Sequence, residues 1–167
     1  YVVHRLDMET SGAVLFAKNP FILPILNRLL EDKMIQRQYW ALTEGKFQTK
    51  KTVYKDKIGR DRHDRRKRVV DPRKGQSAYT TVTRLKTFEG ASLVNCQLKT
   101  GRTHQIRVHL SHHGHAILGD PLYSHQPASR LMLHAHSLSF THPLTLEKVT
   151  VKVKSESFEQ VLRNHKS

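Results

Sequence analysis

The sequence predicts a mixed α+β domain, mostly antiparallel sheet with a few flanking helices. Three observations carry that reading. Apolar-rich stretches of strand length recur along the chain, and in one of them, 91–98, Val94, Cys96 and Leu98 share a face. After Asn19-Pro20, the residues Ile22, Ile25, Leu26, Leu29 and Leu30 repeat with the period of a helix packed on a sheet. The length, 167 residues, suits one core and is short for two. Residues 1–167 are therefore read as a single domain, globular in composition, with 37% hydrophobic and 26% charged residues.

Taken in order, 1–18 reads as strand, short connection, strand, with Tyr1-Val2-Val3 and Ala13-Val14-Leu15-Phe16-Ala17 as the apolar runs. The helix that follows contains Pro24, which is tolerated only in a first turn, so regular helix is expected from there. Residues 35–44, with Tyr39, Trp40 and Leu42, read as a strand. Next, 55–74 carries ten Lys or Arg and four Asp among few apolar residues, and reads as an exposed loop or twisted hairpin. It is either a solvated charge run, a localisation signal, or a basic arm that touches phosphates. Residues 77–85 and 91–98 read as two strands joined around Glu89-Gly90. Thr103 reads as the N-cap of a helix that Gly114 closes. In that helix Ile106 and Leu110 share the core face, and Arg107 and Ser111 share another. Residues 131–140 and 146–153 read as a final pair around His142-Pro143, and 157–162 as a short helix.

The net charge is +15, from 29 Lys and Arg against 14 Asp and Glu. Such an excess suits a polyanionic partner, nucleic acid ahead of an acidic membrane surface. The one cysteine, Cys96, allows no disulfide framework and no cysteine zinc site, and reads as a buried structural thiol. No apolar run approaches the roughly 18 residues of a membrane span, and no signal peptide is visible. The expectation is a cytoplasmic monomer without membrane association. Because the sequence starts inside a strand-like run, a fragment is also expected.

The segments that bear chemistry are few. Twelve histidines, four of them at 109, 112, 113 and 115, invite a metal reading. His109 and His113 have the i, i+4 spacing of helical zinc ligands, but the metalloprotease pattern needs Glu where Leu110 stands. The reversed pattern needs Glu where His112 stands. No metal is expected. Ser11-Gly12 lacks the nucleophile-elbow pattern, and no Walker or dinucleotide glycine pattern occurs, so no cofactor is expected. What remains is Asp7, a carboxylate on a short connection between two apolar runs, where charge is costly unless it has a partner or a job.

The chain resembles the catalytic domain of the RluA-type RNA pseudouridine synthases. The resemblance rests on His4-Arg5-Leu6-Asp7 with Thr10-Ser11-Gly12, and on Arg37-x-Tyr39-x-Ala41-Leu42 with Gly45. It continues through Thr100-Gly101-Arg102-Thr103-His104-Gln105-Ile106-Arg107-Val108-His109-Leu110, then Gly114, Gly119-Asp120 and Tyr123, and is completed by Arg130-Leu131-x-Leu133-His134-Ala135 and Phe140-x-His142-Pro143. Four blocks in family order are far more specific than one. Family members have further strands, and often a small RNA-binding domain, before the His4-Arg5-Leu6-Asp7 block, so the resemblance too leads to the expectation of a fragment. Arg37 and Gln76 stand where Lys is commoner, departures that bear on RNA contacts.

This resemblance implies isomerisation of uridine in ribosomal or transfer RNA to pseudouridine, without oxidation, cofactor or external group. Asp7 would be the catalytic carboxylate, attacking ribose C1′ or uracil C6 or assisting elimination to a glycal. Arg107 would hold Asp7 by two parallel hydrogen bonds, or the two would form a purely structural pair. Tyr39 would stack on the target uracil and offer its hydroxyl for proton transfer, against a plain core role; Phe at that position separates the two. A base must leave its stack before protein can reach its sugar, and Arg5 would brace the vacated space. Arg102, His104 and Gln105 would meet RNA at the helix start, or merely cap and brace the turn. Arg65, Arg66, Lys67 and Arg68 would contact phosphates. The rival is a non-catalytic RNA-binding or ribosome-assembly factor that keeps the fold.

Overall fold

The computed structural model describes residues 1–167. The opening segment does not build the two strands expected of it. Tyr1 and Ala17 exchange backbone hydrogen bonds at 3.0 and 2.8 Å, and Val2 bridges Phe16. The ladder then fails, because the Leu15 N–H donates to His4 Nε2 at 3.1 Å. A side chain has taken the place of a backbone acceptor. The regular strand here is only β1 (Ser11–Gly12). Next comes α1 (Leu23–Glu31), with Pro24 in its first turn as expected. Asn19 Oδ1 accepts from the N–H groups of Phe21 and Ile22 and turns the chain into it. Leu26 is buried among Val3, Ala17, Ile35, Leu138 and Phe140, while Ile25, expected on the same stripe, stays exposed.

The strands β2 (Gln36–Glu44) and β3 (Lys51–Tyr54) follow. The charge-rich segment contains a separate two-stranded hairpin, β4 (Ile58–Arg60) and β5 (Arg68–Val70). After it come β6 (Thr80–Phe88), β7 (Ala91–Leu98), α2 (Gln105–His112), β8 (Leu133–Thr141), β9 (Lys148–Lys152) and α3 (Glu156–Asn164). The main sheet runs β1-β8-β2-β7-β6-β3, with β9 also on β8. All its pairings are antiparallel except β1 with β8, so the sheet is mixed, as expected.

Register places Tyr39 opposite Cys96 and Ala41 opposite Val94, and Ile106 and Leu110 of α2 join them in the main core. Cys96 is fully buried, and burial pushes its thiol up to about 12. That suits the structural role expected of it. The helix α2 is buried along its length, from Gln105 through Leu110. Its start departs from expectation: Thr103 is not the cap. His104 occupies that position with φ 56°, and no side chain caps the helix. Gly114 does close it, at φ 84°, as the His115 N–H donates to the Leu110 carbonyl and the Gly114 N–H to that of Ser111.

Candidate active site

Asp7 lies on the turn between His4 and β1, where the Thr10 N–H donates to the Asp7 carbonyl at 2.9 Å. Ser11 anchors the end of that turn, accepting from Arg130 Nη2 and bonding His134 Nδ1, both at 2.8 Å. The carboxylate is 28% exposed and faces Arg107 of α2, whose side chain is 6% exposed. Here the expectation needs correcting. Arg107 gives Asp7 a single hydrogen bond, Nη1 to Oδ2 at 3.3 Å. Its two parallel bonds go instead to Asp120: Nε to Oδ2 and Nη2 to Oδ1, each 2.8 Å.

Asp120 is the residue that sequence reasoning missed. Its side chain has no exposed surface, and Oδ1 also accepts from the N–H groups of Leu122 and Tyr123. The turn that delivers it depends on Gly119, at φ 75°, where a Cβ would lie 2.0 Å from the Arg130 carbonyl oxygen. In sequence, Gly119-Asp120 enters only as part of the family resemblance, with no role given to it; a buried destination for its acid emerges only from packing. Burial works against the Arg107 charge, but the bonds to and charge of Asp120, then Asp7, raise its pKa overall. Asp120 thus fixes the guanidinium, and its remaining edge is left for Asp7.

Tyr39, Asp7, Arg107, Arg5, Arg102, His104 and Gln105 all line one small niche of about 70 Å³. Tyr39 is 6% exposed and burial raises its phenol pKa, so it enters the niche as a neutral hydroxyl. A wider cleft of about 710 Å³ opens over Asp7, with Arg5, Lys33, Arg37, Lys99 and Arg102 on its walls. Arg102 and Thr103 also line a second cleft of about 890 Å³ formed with the hairpin, which includes Arg60, Arg62 and Arg68. The basic arm and the carboxylate therefore share one continuous wall.

The predicted RNA contacts divide. Arg5 and Arg65 are exposed, and Arg102 lines both clefts while donating from Nε to the Ser77 carbonyl at 2.7 Å. Arg66 is held by Asp64 through two bonds of 3.0 and 2.8 Å, and Lys67 is half-buried. Gln105 is taken out of the RNA-contacting set. It is 3% exposed; Oε1 accepts from Thr100 Oγ1 and the Arg102 N–H, and Nε2 donates to the Tyr79 carbonyl and Thr80 Oγ1. Its amide is fully used in bracing the helix start. His104 is half-buried, and burial followed by the charge of Arg107 lowers its pKa.

Tyr123, also unassigned from sequence, joins these parts. Its hydroxyl accepts from the Arg68 N–H of the hairpin and bonds His104 Nδ1, both at 2.8 Å. Its ring lies 5.2 Å from the Arg107 guanidinium carbon. The hairpin is thereby tied to the same helix that carries Arg107.

The histidine pair considered for zinc is occupied otherwise. His109 is buried between Thr80 Oγ1 and the Asp56 carbonyl, each at 2.8 Å. His113 bonds the Asp56 carboxylate at 2.6 Å and stacks on Tyr54. With His112, Asp56 and His113 keep potential ligand atoms within 4.8 Å of one another at the surface, away from the Asp7 niche lining.

A family model described as RNA pseudouridylate synthase matches residues 1–112. The chain is 45% identical over 154 residues to YhcT, an "Uncharacterized RNA pseudouridine synthase" of Bacillus subtilis (strain 168), covering 90% of this chain and 51% of that protein. It is 38% identical to ribosomal large subunit pseudouridine synthase D of Neisseria meningitidis serogroup A / serotype 4A (strain DSM 15465 / Z2491), covering 89% and 43% respectively. The chain thus spans about half the length of the curated relatives it matches. Among solved structures it resembles Human RNA Pseudouridylate Synthase Domain Containing 1, with a TM-score of 0.82 and 29% identity over 92% of this chain and 68% of that one.

Proposed function

The chain belongs to the RNA pseudouridylate synthase family, and from that premise we propose that it isomerises uridine in RNA to pseudouridine with Asp7 as the catalytic carboxylate. The observation that carries this is the seating of Asp7: a partly exposed carboxylate in a basic cleft, bonded to an arginine that a second, buried acid already holds in place. A merely structural Arg–Asp pair would be complete with Asp120 alone. Asp7 is an additional acid at the open edge of that pair, where a substrate can reach it.

The reaction breaks the N1–C1′ bond of uridine and joins C5 to C1′, so atoms and electrons balance within the nucleoside. Each course for Asp7, attack at C1′, attack at C6 or assisted elimination, needs its charge presented to a nucleotide out of the helical stack. Arg107, itself oriented by Asp120, places its positive charge and one hydrogen-bond donor beside that carboxylate. Tyr39, in the floor of the niche, offers a flat face for the uracil and a neutral hydroxyl for proton transfer. Arg5, exposed on the cleft wall, is suited to the space the base vacates. The hairpin and Arg102 supply phosphate contacts.

Ribosomal RNA is the favoured substrate and transfer RNA the second. The former is supported by the names of relatives such as the large-subunit synthase D. A non-catalytic RNA-binding role would give no task to Asp7, the partly exposed acid at the edge of the buried Arg107–Asp120 pair.

The test is tritium release from RNA carrying 5-³H-uridine, with hypomodified ribosomal and transfer RNA offered separately. Release by the wild type that disappears with Asp7→Asn, while RNA affinity stays within a few-fold, is the expected result. Asp7→Asn that retains most of the activity would remove Asp7 from the mechanism.

A further inference from the structure

Arg37 is a cation without a counter-ion in the wall of the catalytic cleft. It stands on β2 two residues before Tyr39, and it lines both the outer cleft and the inner niche alongside Asp7. Its Nε is buried with no hydrogen-bond partner, and the ion pairs of the chain do not include it. Burial, the larger influence, lowers its pKa, although proximity to Tyr39 opposes this. Arg37 is half-buried, with its Nε enclosed, and a partly desolvated charge without a partner is destabilising, a penalty that a neutral side chain would avoid.

The neighbouring groups do not remove that penalty. Tyr39 is held neutral by burial. His4 has its pKa lowered to about 4, chiefly by burial and then by the charge of Arg37 itself, so it supplies no anion either. Of the acids lining the same cleft, Asp7 is engaged by Arg107, and Glu31 is exposed and forms no ion pair with Arg37. The chain nevertheless makes room for the guanidinium: a Cβ at Gly101 would lie 2.9 Å from Arg37 Nη1 and 3.4 Å from Nη2. A position that carries an unpaired guanidinium, with a side-chain-free residue against it, at the edge of a substrate cleft, is suited to an anion arriving from outside.

The fork geometry identifies the class of anion. Guanidinium donors match two oxygens of one planar or tetrahedral group, and RNA presents such a pair at every phosphodiester. A nucleotide drawn out of its stack toward Asp7 brings its flanking phosphates to the cleft wall. We propose that Arg37 is a phosphate-binding residue, its guanidinium receiving the two non-bridging oxygens of a phosphodiester beside the flipped uridine. This rests on the isomerase reading for the uridine, though not for the phosphate. The phosphate neutralises Arg37, so binding removes a strain present in the free protein.

The experiment compares the wild-type chain with Arg37→Gln and Arg37→Lys, by thermal melting and by RNA affinity across a salt series. Arg37→Gln is expected to melt at the same temperature or higher, because the unpaired charge is gone. Its RNA affinity should fall about ten- to hundredfold, the range for a charged hydrogen-bonding group. Its slope of log K against log[salt] should become shallower by about 0.7–0.9, one phosphate's worth. Arg37→Lys should keep the slope and lose affinity, since it retains the charge without the fork; should the Gln variant fail to fold, this variant carries the test. A Gln variant that melts several degrees lower with its salt slope unchanged would overturn the proposal and make Arg37 a packing residue. Wild type that makes pseudouridine while Arg37→Gln binds with full slope sinks the phosphate site alone. Wild type that makes none, while Arg37→Gln still loses slope and affinity, sinks the isomerase reading and leaves the phosphate site standing.

Discussion

The Asp7 centre and the basic hairpin, though they share a wall, are built on opposite physical terms. At the centre, the two acids are bonded to one arginine: Arg107 and Asp120 have side chains 6% and 0% exposed, and Asp7 at 28% sits at the open edge of that pair. On the hairpin, charges are many and more open: Arg65 is exposed and the Arg66 side chain is 73% exposed even while paired with Asp64. In a low-dielectric setting a misplaced charge is expensive, so the centre holds a fixed geometry. In water a charge is cheap and adaptable, so the hairpin can follow a backbone of variable course. Under the proposed function, the contrast assigns chemistry and capture to separate parts, joined through Tyr123.

The sharpest way to break this contrast is Asp120→Asn. Arg107 then keeps its charge in the interior with only Asp7 to share it, a loss of about 3–5 kcal/mol of stability for a broken buried pair. Turnover at saturating RNA should fall by about two orders of magnitude, the scale for displaced catalytic geometry. Denaturant melts and saturated rates check both; an Asp120→Asn enzyme with wild-type turnover would show that the clamp is not needed.

On the hairpin, smaller effects of another kind are expected. Arg65→Ala should reduce the salt slope of RNA binding by about 0.7–0.9, with saturated turnover unchanged. Arg66→Ala should reduce it less, because Asp64 already occupies that guanidinium. Equal losses from the two would refute the sorting by existing partners.

The gentlest test is acid. His4 and His136 both have pKa values lowered to about 4, first by burial. In the unfolded chain they titrate near ~6.5, so between those values the unfolded state binds more protons. Stability should therefore decline as pH falls from ~6.5 to about 4 and gain no further loss from these two groups below that. Melting temperatures that are flat across this window would contradict their buried, neutral state.

Much of this was legible beforehand. The long strands were readable because Tyr39, Ala41, Val94 and Cys96 alternate onto a single core, and α1 because its apolar stripe follows a turn residue and a proline. Residues 1–17 misled because Val2 and Leu15 have strand composition, whereas His4 takes the N–H that a ladder would have used. Thr103 has cap chemistry, but the backbone turns through His104 first. Asp7 and Arg107 were found from their motifs, 100 residues apart in the chain. Asp120 stands among the residues of the resemblance but without a role, because its partner choice is settled by how Gly119 turns it inward. In sequence, Arg37 stands out only as a departure from a usual lysine; that it lacks a partner is a fact of packing that no spacing reveals.

The most direct measurement is the rate of tritium release at saturating 5-³H-uridine RNA for Asp120→Asn beside Arg65→Ala, with KM determined for each. Separate chemistry and capture predict a large fall in kcat for the first, and a raised KM with wild-type kcat for the second. If Arg65→Ala lowers kcat as much as Asp120→Asn does, the hairpin takes part in the chemistry and the division drawn here is wrong.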